Sequence, residues 1–122
     1  MRLSIYKILT SAEWDSARRA GIFEGSAVDR VDGYIHFSTA AQARETAARH
    51  FAGQAGLVLL TVDAQRCPAS ALRWEPSRGG ALFPHLYESL DTACVIAVDA
   101  LPLDEHGHRF PDSFEQNEGV RG

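Results

Sequence analysis

The apolar positions fall into short runs broken by turn residues, and their period changes along the chain. Leu3–Leu9 is apolar at both odd and even positions, so it reads as a strand with two covered faces. Thr10 and Glu13 then form a capping box that starts a helix at Ser11. Trp14, Ala17 and Gly21 make one stripe of that helix, and Gly21 ends it after Ala20. Gly25-Ser26 reads as a turn. From Gly33 to Ser38 the pattern alternates: Ile35 and Phe37 face one way, Tyr34, His36 and Ser38 the other. Thr39 and Gln42 form a second capping box, and the helix expected over 40–52 stacks Ala40, Ala43, Ala47 and Phe51 on one face.

Leu57–Val62 is again apolar on both faces, which predicts a central strand. A loop over 63–70 and a short strand over 72–75 follow. Pro76-Ser77-Arg78-Gly79-Gly80 is a turn. Residues 81–88 read as an edge strand or a loop entering one, because Pro84 cannot donate to a ladder. Residues 92–98 form a further apolar strand. Strands outnumber helices, and both helices lie in the first half, without a βαβα rhythm. The expected fold is α+β, with a mainly antiparallel β core in one domain over 1–103. A polar, acidic tail over 104–122 follows, with Phe110 and Phe114 as its candidate anchors.

A chain of 122 residues suits one domain with a modest core. Its longest apolar run falls far short of the roughly 20 residues that span a bilayer, and the start of the sequence lacks a secretory signal pattern. The expectation is therefore a cytoplasmic protein, with no membrane partner and two reduced cysteines, Cys67 and Cys94. The net charge of −4 is uneven: the tail holds five acids against Arg109 and Arg121, and residues 1–103 carry only −1. No basic face is available for an extended nucleic-acid backbone.

Four groups of residues carry candidate chemistry. Tyr34, His36 and Ser38 share a strand face that runs into a capped helix, a common edge for a cleft. There His36 either orients a ligand hydroxyl or phosphate, serves as acid or base, or is a structural histidine. His85 and Tyr87, in Phe83-Pro84-His85-Leu86-Tyr87-Glu88, share a second face that could meet the first. Trp74 offers a stacking surface and Glu75 a carboxylate able to stabilise an oxocarbenium-like centre. Asp29 and Asp32 read as turn caps, Asp32 with a role at a ligand, and Lys7, the only lysine, is either a phosphate contact or a surface charge. No established metal-ligand spacing occurs, the His106-Gly107-His108 stretch being a weak candidate, and no metal is expected.

In their order along residues 3–100, Ile5-Tyr6-Lys7-Ile8, Trp14 with Ala17, Gly25-Ser26, Asp32-Gly33-Tyr34-Ile35-His36-Phe37-Ser38-Thr39, Leu72-Arg73-Trp74-Glu75 and Phe83-Pro84-His85-Leu86-Tyr87 resemble a bacterial family catalogued as domain of unknown function 952. That family is similar in fold to the ADP-ribosyltransferase-like superfamily, in which a split antiparallel core holds NAD. More distantly, residues 33–64 look like part of the RNA 2′-phosphotransferases, with Tyr34 standing where their His-x-His-x-Ser strand has its first histidine. The resemblance implies a nucleotide-like ligand, NAD as a possible cosubstrate, and His36 in the cleft. Catalytic roles would fall to His36, His85 and Glu75, and ligand contacts to Tyr34, Ser38, Lys7, Trp74, Tyr87 and Asp32. Two other functions remain open: a non-catalytic small-molecule binding module, and a two-histidine phosphoesterase built on His36-Phe37-Ser38 and His85-Leu86-Tyr87.

Overall fold

The structure, a computed structural model, describes residues 3–112 and 114. Its spine is a three-stranded antiparallel sheet with β4 (Leu57–Asp63) between β1 (Ser4–Thr10) and β8 (Val95–Leu101). The central place of β4 is the one its two-faced apolar pattern predicts. Ile5 lies opposite Val62 and Leu9 opposite Val58, so these side chains build one face. Tyr6, Ile8, Leu57 and Leu59 build the other. Lys7 sits between Ile5 and Leu9 on the first face and is only 5% exposed, which replaces the surface position expected as one of its two readings.

A second antiparallel sheet is ordered β3 (Ile35–His36), β6 (Leu82–Leu86), β5 (Leu72–Pro76). Here β6 is the middle strand, not the expected edge strand. Pro84 is tolerated because of where its missing donor points. Its carbonyl accepts from Phe37 N at 3.0 Å, on the β3 side, where the ladder is already ending. The strand expected over Gly33–Ser38 pairs only at Ile35 and His36. Ser38 then leaves β6 to make a reciprocal bridge with Tyr6, at 2.8 and 2.9 Å, which ties the two sheets together. Two small pairs complete the strands: β2 (Ile22–Phe23) with β7 (Leu90–Asp91), and β9 (Leu103–Asp104) with β10 (Gly107–His108).

There are three α-helices among the described residues. Helix α1 (Ser11–Ala20) has the expected Thr10/Glu13 capping box, and Gly21 closes it at φ 84°. Helix α3 (Ala40–His50) carries the Thr39/Gln42 box and ends two residues before the expected stop. Its Ala43 and Ala47 are buried against β1, where small side chains let the helix lie close. Helix α2 (Ala27–Asp32), the third, was not expected. Its box is Ser26 with Asp29, and Gly33 ends it at φ 89°. Phe110 and Phe114 are buried with Tyr6, Ala43 and Leu101, so the polar C-terminal stretch does send two aromatic rings into the core. No helix among the described residues is long and apolar enough to cross a membrane.

Candidate functional site

The β3–β6 register puts His36 directly opposite His85. Strand alternation then places Tyr34, His36, His85, Tyr87, Arg73 and Glu75 on one face of the second sheet, with Ile35, Phe37 and Leu86 turned into the core. Tyr34 is the centre of this face. Its ring stacks on His85 at 4.1 Å between centroids and lies 4.6 Å from His36 and 5.1 Å from Tyr87. The two imidazoles are 5.6 Å apart. The two histidine pairs thus meet as cross-strand neighbours on one sheet rather than across a cleft.

Each histidine is backed by a carboxylate. Glu75 Oε1 accepts from His85 Nδ1 at 2.7 Å and from the Tyr87 hydroxyl at 2.7 Å. Those two hydrogen bonds hold the Glu75 carboxyl below the usual carboxylate range, so it is an anion at neutral pH. The Tyr34 phenol is shifted the other way, upward, by burial and by the charges of Asp32 and Glu75.

Behind His36 lies Asp29, 1% exposed. Its carboxylate accepts from His36 Nδ1 at 2.6 Å, from Lys7 Nζ at 2.9 and 3.1 Å, from Ser26 N at 2.8 Å and from His36 N at 3.2 Å. Burial alone would raise its pKa. The His36 hydrogen bond, the Lys7 charge and hydrogen bond, and the Ser26 amide outweigh this and bring it down to about 2. The Lys7 ammonium is pulled below its ordinary value, because burial outweighs the attraction of Asp29. The sequence marks Asp29 as a turn cap. The Ser26-x-x-Asp29 spacing was its one visible signal, and nothing local could reveal that Lys7, from a distant strand, would meet it. Gly25 belongs to the same design: at φ 108°, a Cβ there would come within 2.9 Å of Asp29 Cβ.

In front of His36 is a cleft of about 600 Å³, lined in part by Lys7, Asp32, His36, Ser38, Arg78 and His85. Asp32 Oδ2 accepts from His36 Nε2 at 2.9 Å, and this carboxylate is partly exposed. Ser38 Oγ is paired with Thr46 Oγ1 at 2.9 Å, and Arg78 donates to the same Thr46 hydroxyl at 3.3 Å. Tyr34, Tyr87 and Glu75 continue the His36–His85 face beyond the lining of the cleft. Trp74 does not join them. As the strand neighbour of Glu75 it faces the opposite way, beside its register partner Pro84, so the two cannot flank one ligand. In the C-terminal hairpin, His108 Nε2 donates to the Gln54 carbonyl while His106 stays exposed next to Glu105, so the two do not converge.

Two antiparallel sheets bridged at Tyr6 and Ser38, with a cleft beside the bridge and a carboxylate-backed histidine in its wall, make up a small α+β domain. The chain belongs to the family described as "Protein of unknown function (DUF952)", whose pattern matches residues 8–98. It is similar to protein CC0527 from Caulobacter crescentus. The crystal structure of that protein is 52% identical, with a TM-score of 0.86 over 92% of this chain and 98% of that one. Its solution NMR structure gives a TM-score of 0.78 over 93% and 95%. No protein with a curated description matches the chain.

Proposed function

We propose that the chain binds an ADP-ribose-type nucleotide in the cleft at His36, with NAD as the candidate cosubstrate, and transfers or hydrolyses the ADP-ribosyl group. The observation that carries this reading is the split core. Sheets β1-β4-β8 and β3-β6-β5 share the Tyr6–Ser38 backbone bridge, and the cleft opens beside it. The resemblance to ADP-ribosyltransferase-like folds, whose split antiparallel core holds NAD, supports the same reading. In this reading His36 holds the ribose, the Tyr34 and Tyr87 rings rather than Trp74 stack on the ligand, and ionised Glu75 stabilises positive charge developing at the anomeric carbon. The test is thermal denaturation with NAD and with ADP-ribose at millimolar concentration. A ligand present at about 100 times its Kd adds roughly 2.7 kcal/mol of stability. No shift with either nucleotide would refute the reading.

One observation favours a second reading, acid–base cleavage of a phosphoester by two histidines. His36 and His85 stand side by side, each with Nδ1 on a carboxylate, so one could serve as base and the other as acid. Turnover of a 2′,3′-cyclic nucleotide, lost in both His36→Ala and His85→Ala, would support it. A flat assay with the folded wild type would remove it.

A further inference from the structure

We propose that Asp29 is a positioning residue for His36: it keeps the ring proton on Nδ1, so that Nε2 is the nitrogen offered to a ligand. This rests on His36 being the ligand-facing residue of the proposed site, but not on which nucleotide binds there.

The argument starts from the contrast between the two carboxylates on His36. Asp29 is buried and committed. Its oxygens are held by Lys7 from β1, by the Ser26 amide at the start of α2, and by the backbone and ring of His36. An ionised carboxylate can only accept, so Asp29 at 2.6 Å from Nδ1 and Asp32 at 2.9 Å from Nε2 compete for the single proton of a neutral ring, and the better-anchored carboxylate holds it. Asp32 is different. It sits at the end of the six-residue α2, its side chain is 40% exposed, and it holds Nε2 through one contact at 2.9 Å. A ligand hydroxyl or phosphate entering the cleft can displace Asp32 into water. It cannot displace Asp29 without leaving the Lys7 ammonium buried and unpaired. The charged groups bearing on the ring are therefore Lys7 through Asp29, Asp32 at Nε2, and His85 across the strand pair, with Glu75 behind it.

The fold supplies the rigidity this role needs. Gly25 makes the close backbone approach to Asp29, Gly33 turns the chain from α2 into β3, and Tyr34 N donates to the Asp29 carbonyl at 3.2 Å. Donor and acceptor, seven positions apart, are thus locked in a segment that closes on itself. Fixing a histidine's tautomer through its second nitrogen is the general means by which proteins aim the first.

The experiment is a two-bond nitrogen–proton NMR spectrum of the histidine rings in 15N-labelled protein, recorded above the imidazole titration range and without ligand. His36 is assigned by comparison with His36→Gln. Wild type and Asp32→Asn should both show the proton on Nδ1. The double variant Lys7→Met/Asp29→Leu removes both buried charges together and also takes away the acceptor at Nδ1, which the amide oxygen of an asparagine would still supply. In it the proton should move to Nε2, the site imidazole prefers in water. A wild-type ring protonated on Nε2 would overturn the proposal without any variant. A double variant that melts cooperatively yet keeps the wild-type pattern would overturn it too. If ADP-ribose binds the wild type, the double variant should bind about tenfold more weakly, the scale on which partners behind a ligand-holding histidine act; equal affinity would count as refutation. A wild type that binds no nucleotide but shows Nδ1 protonation would sink the functional reading and leave this one standing.

Discussion

The Lys7–Asp29 pair makes the sharpest energetic prediction, because the two partners pull stability in opposite directions. The Asp29 carboxyl lies at about 2 in the folded chain against 3.8 when free. A depressed carboxyl stabilises the fold above its free value, and the contribution is lost as the pH falls through the folded one. Here that is up to about 2 kcal/mol, trimmed by solvent screening and lost between roughly pH 4 and pH 2. The Lys7 pKa is also lowered, by burial, but for an ammonium the sign reverses. Its burial costs stability across neutral pH, and the cost fades only as the pH rises toward 10.5. The net worth of the pair is therefore small, while the worth of either partner given the other is large. Lys7→Met alone leaves Asp29 buried but still bonded to Ser26 and His36, so the expected loss is about 3 kcal/mol, the low end for a broken buried pair. That corresponds to roughly 10 °C in Tm for a chain of this size. Lys7→Met/Asp29→Asn should fall within about 1 kcal/mol of wild type, since both charges leave together. Urea unfolding at pH 7 of wild type, both single variants and the double variant gives the coupling energy directly. A Lys7→Met loss under about 1 kcal/mol, or a double variant as unstable as the sum of the singles, would refute the reasoning.

Three further outcomes follow from the same geometry. Side-chain carbon NMR should find Glu75 titrating below 4.5, because His85 and Tyr87 donate to its anion; Tyr87→Phe should raise that midpoint, and a wild-type value at or above 4.5 would contradict the hydrogen bonding. Burial, and the nearby Cys94, push the Cys67 thiol up to about 12, so iodoacetamide at pH 8 should leave it unmodified in the folded protein and label it in urea; rapid labelling of native protein would count against its buried placement. Gly33→Ala should cost about 1 kcal/mol from its positive φ alone, since a Cβ there meets nothing within 4 Å, whereas Gly25→Ala should cost more because it also presses on Asp29; equal urea midpoints for the two would refute that distinction.

Much of the frame was legible in the chain. The capping boxes at Thr10/Glu13 and Thr39/Gln42 located α1 and α3, and the unbroken apolar run after Gly56 located the central strand. The alternation around His36 placed Ile35 and Phe37 inward and Tyr34 and His36 outward, as observed. What escaped has physical causes. Helix α2 is too short for an apolar period, and its Val28 and Val31 stay exposed, so only its capping spacing marked it. Pro84 signalled an edge because the rule concerns a missing donor; it sits in a middle strand since that donor would point past the end of β3. Lys7 looked like a surface charge because its partner comes from 22 residues away, a contact no local pattern encodes. The pairing of Trp74 with Glu75 failed for the opposite reason: neighbours in a strand face apart.

The topology of the second sheet also bears on the order in which the site comes into being. Glu75, His85 and Tyr87 all belong to the β5–β6 hairpin and the residue that follows it, a segment of short loops. His36 must be brought to that hairpin from about fifty residues upstream, and its own anchor depends on β1, which pairs with the still more distant β4. Local hairpins close in microseconds, while non-local pairings wait on the entropy of long loops. Pulse-labelled amide exchange during refolding should therefore protect residues 72–86 before the His36 amide. Half of the site is then a property of one hairpin, and the other half arrives only with the whole fold. A lesion in β1 or β4 would thus disarm His36 while sparing the Glu75–His85–Tyr87 cluster.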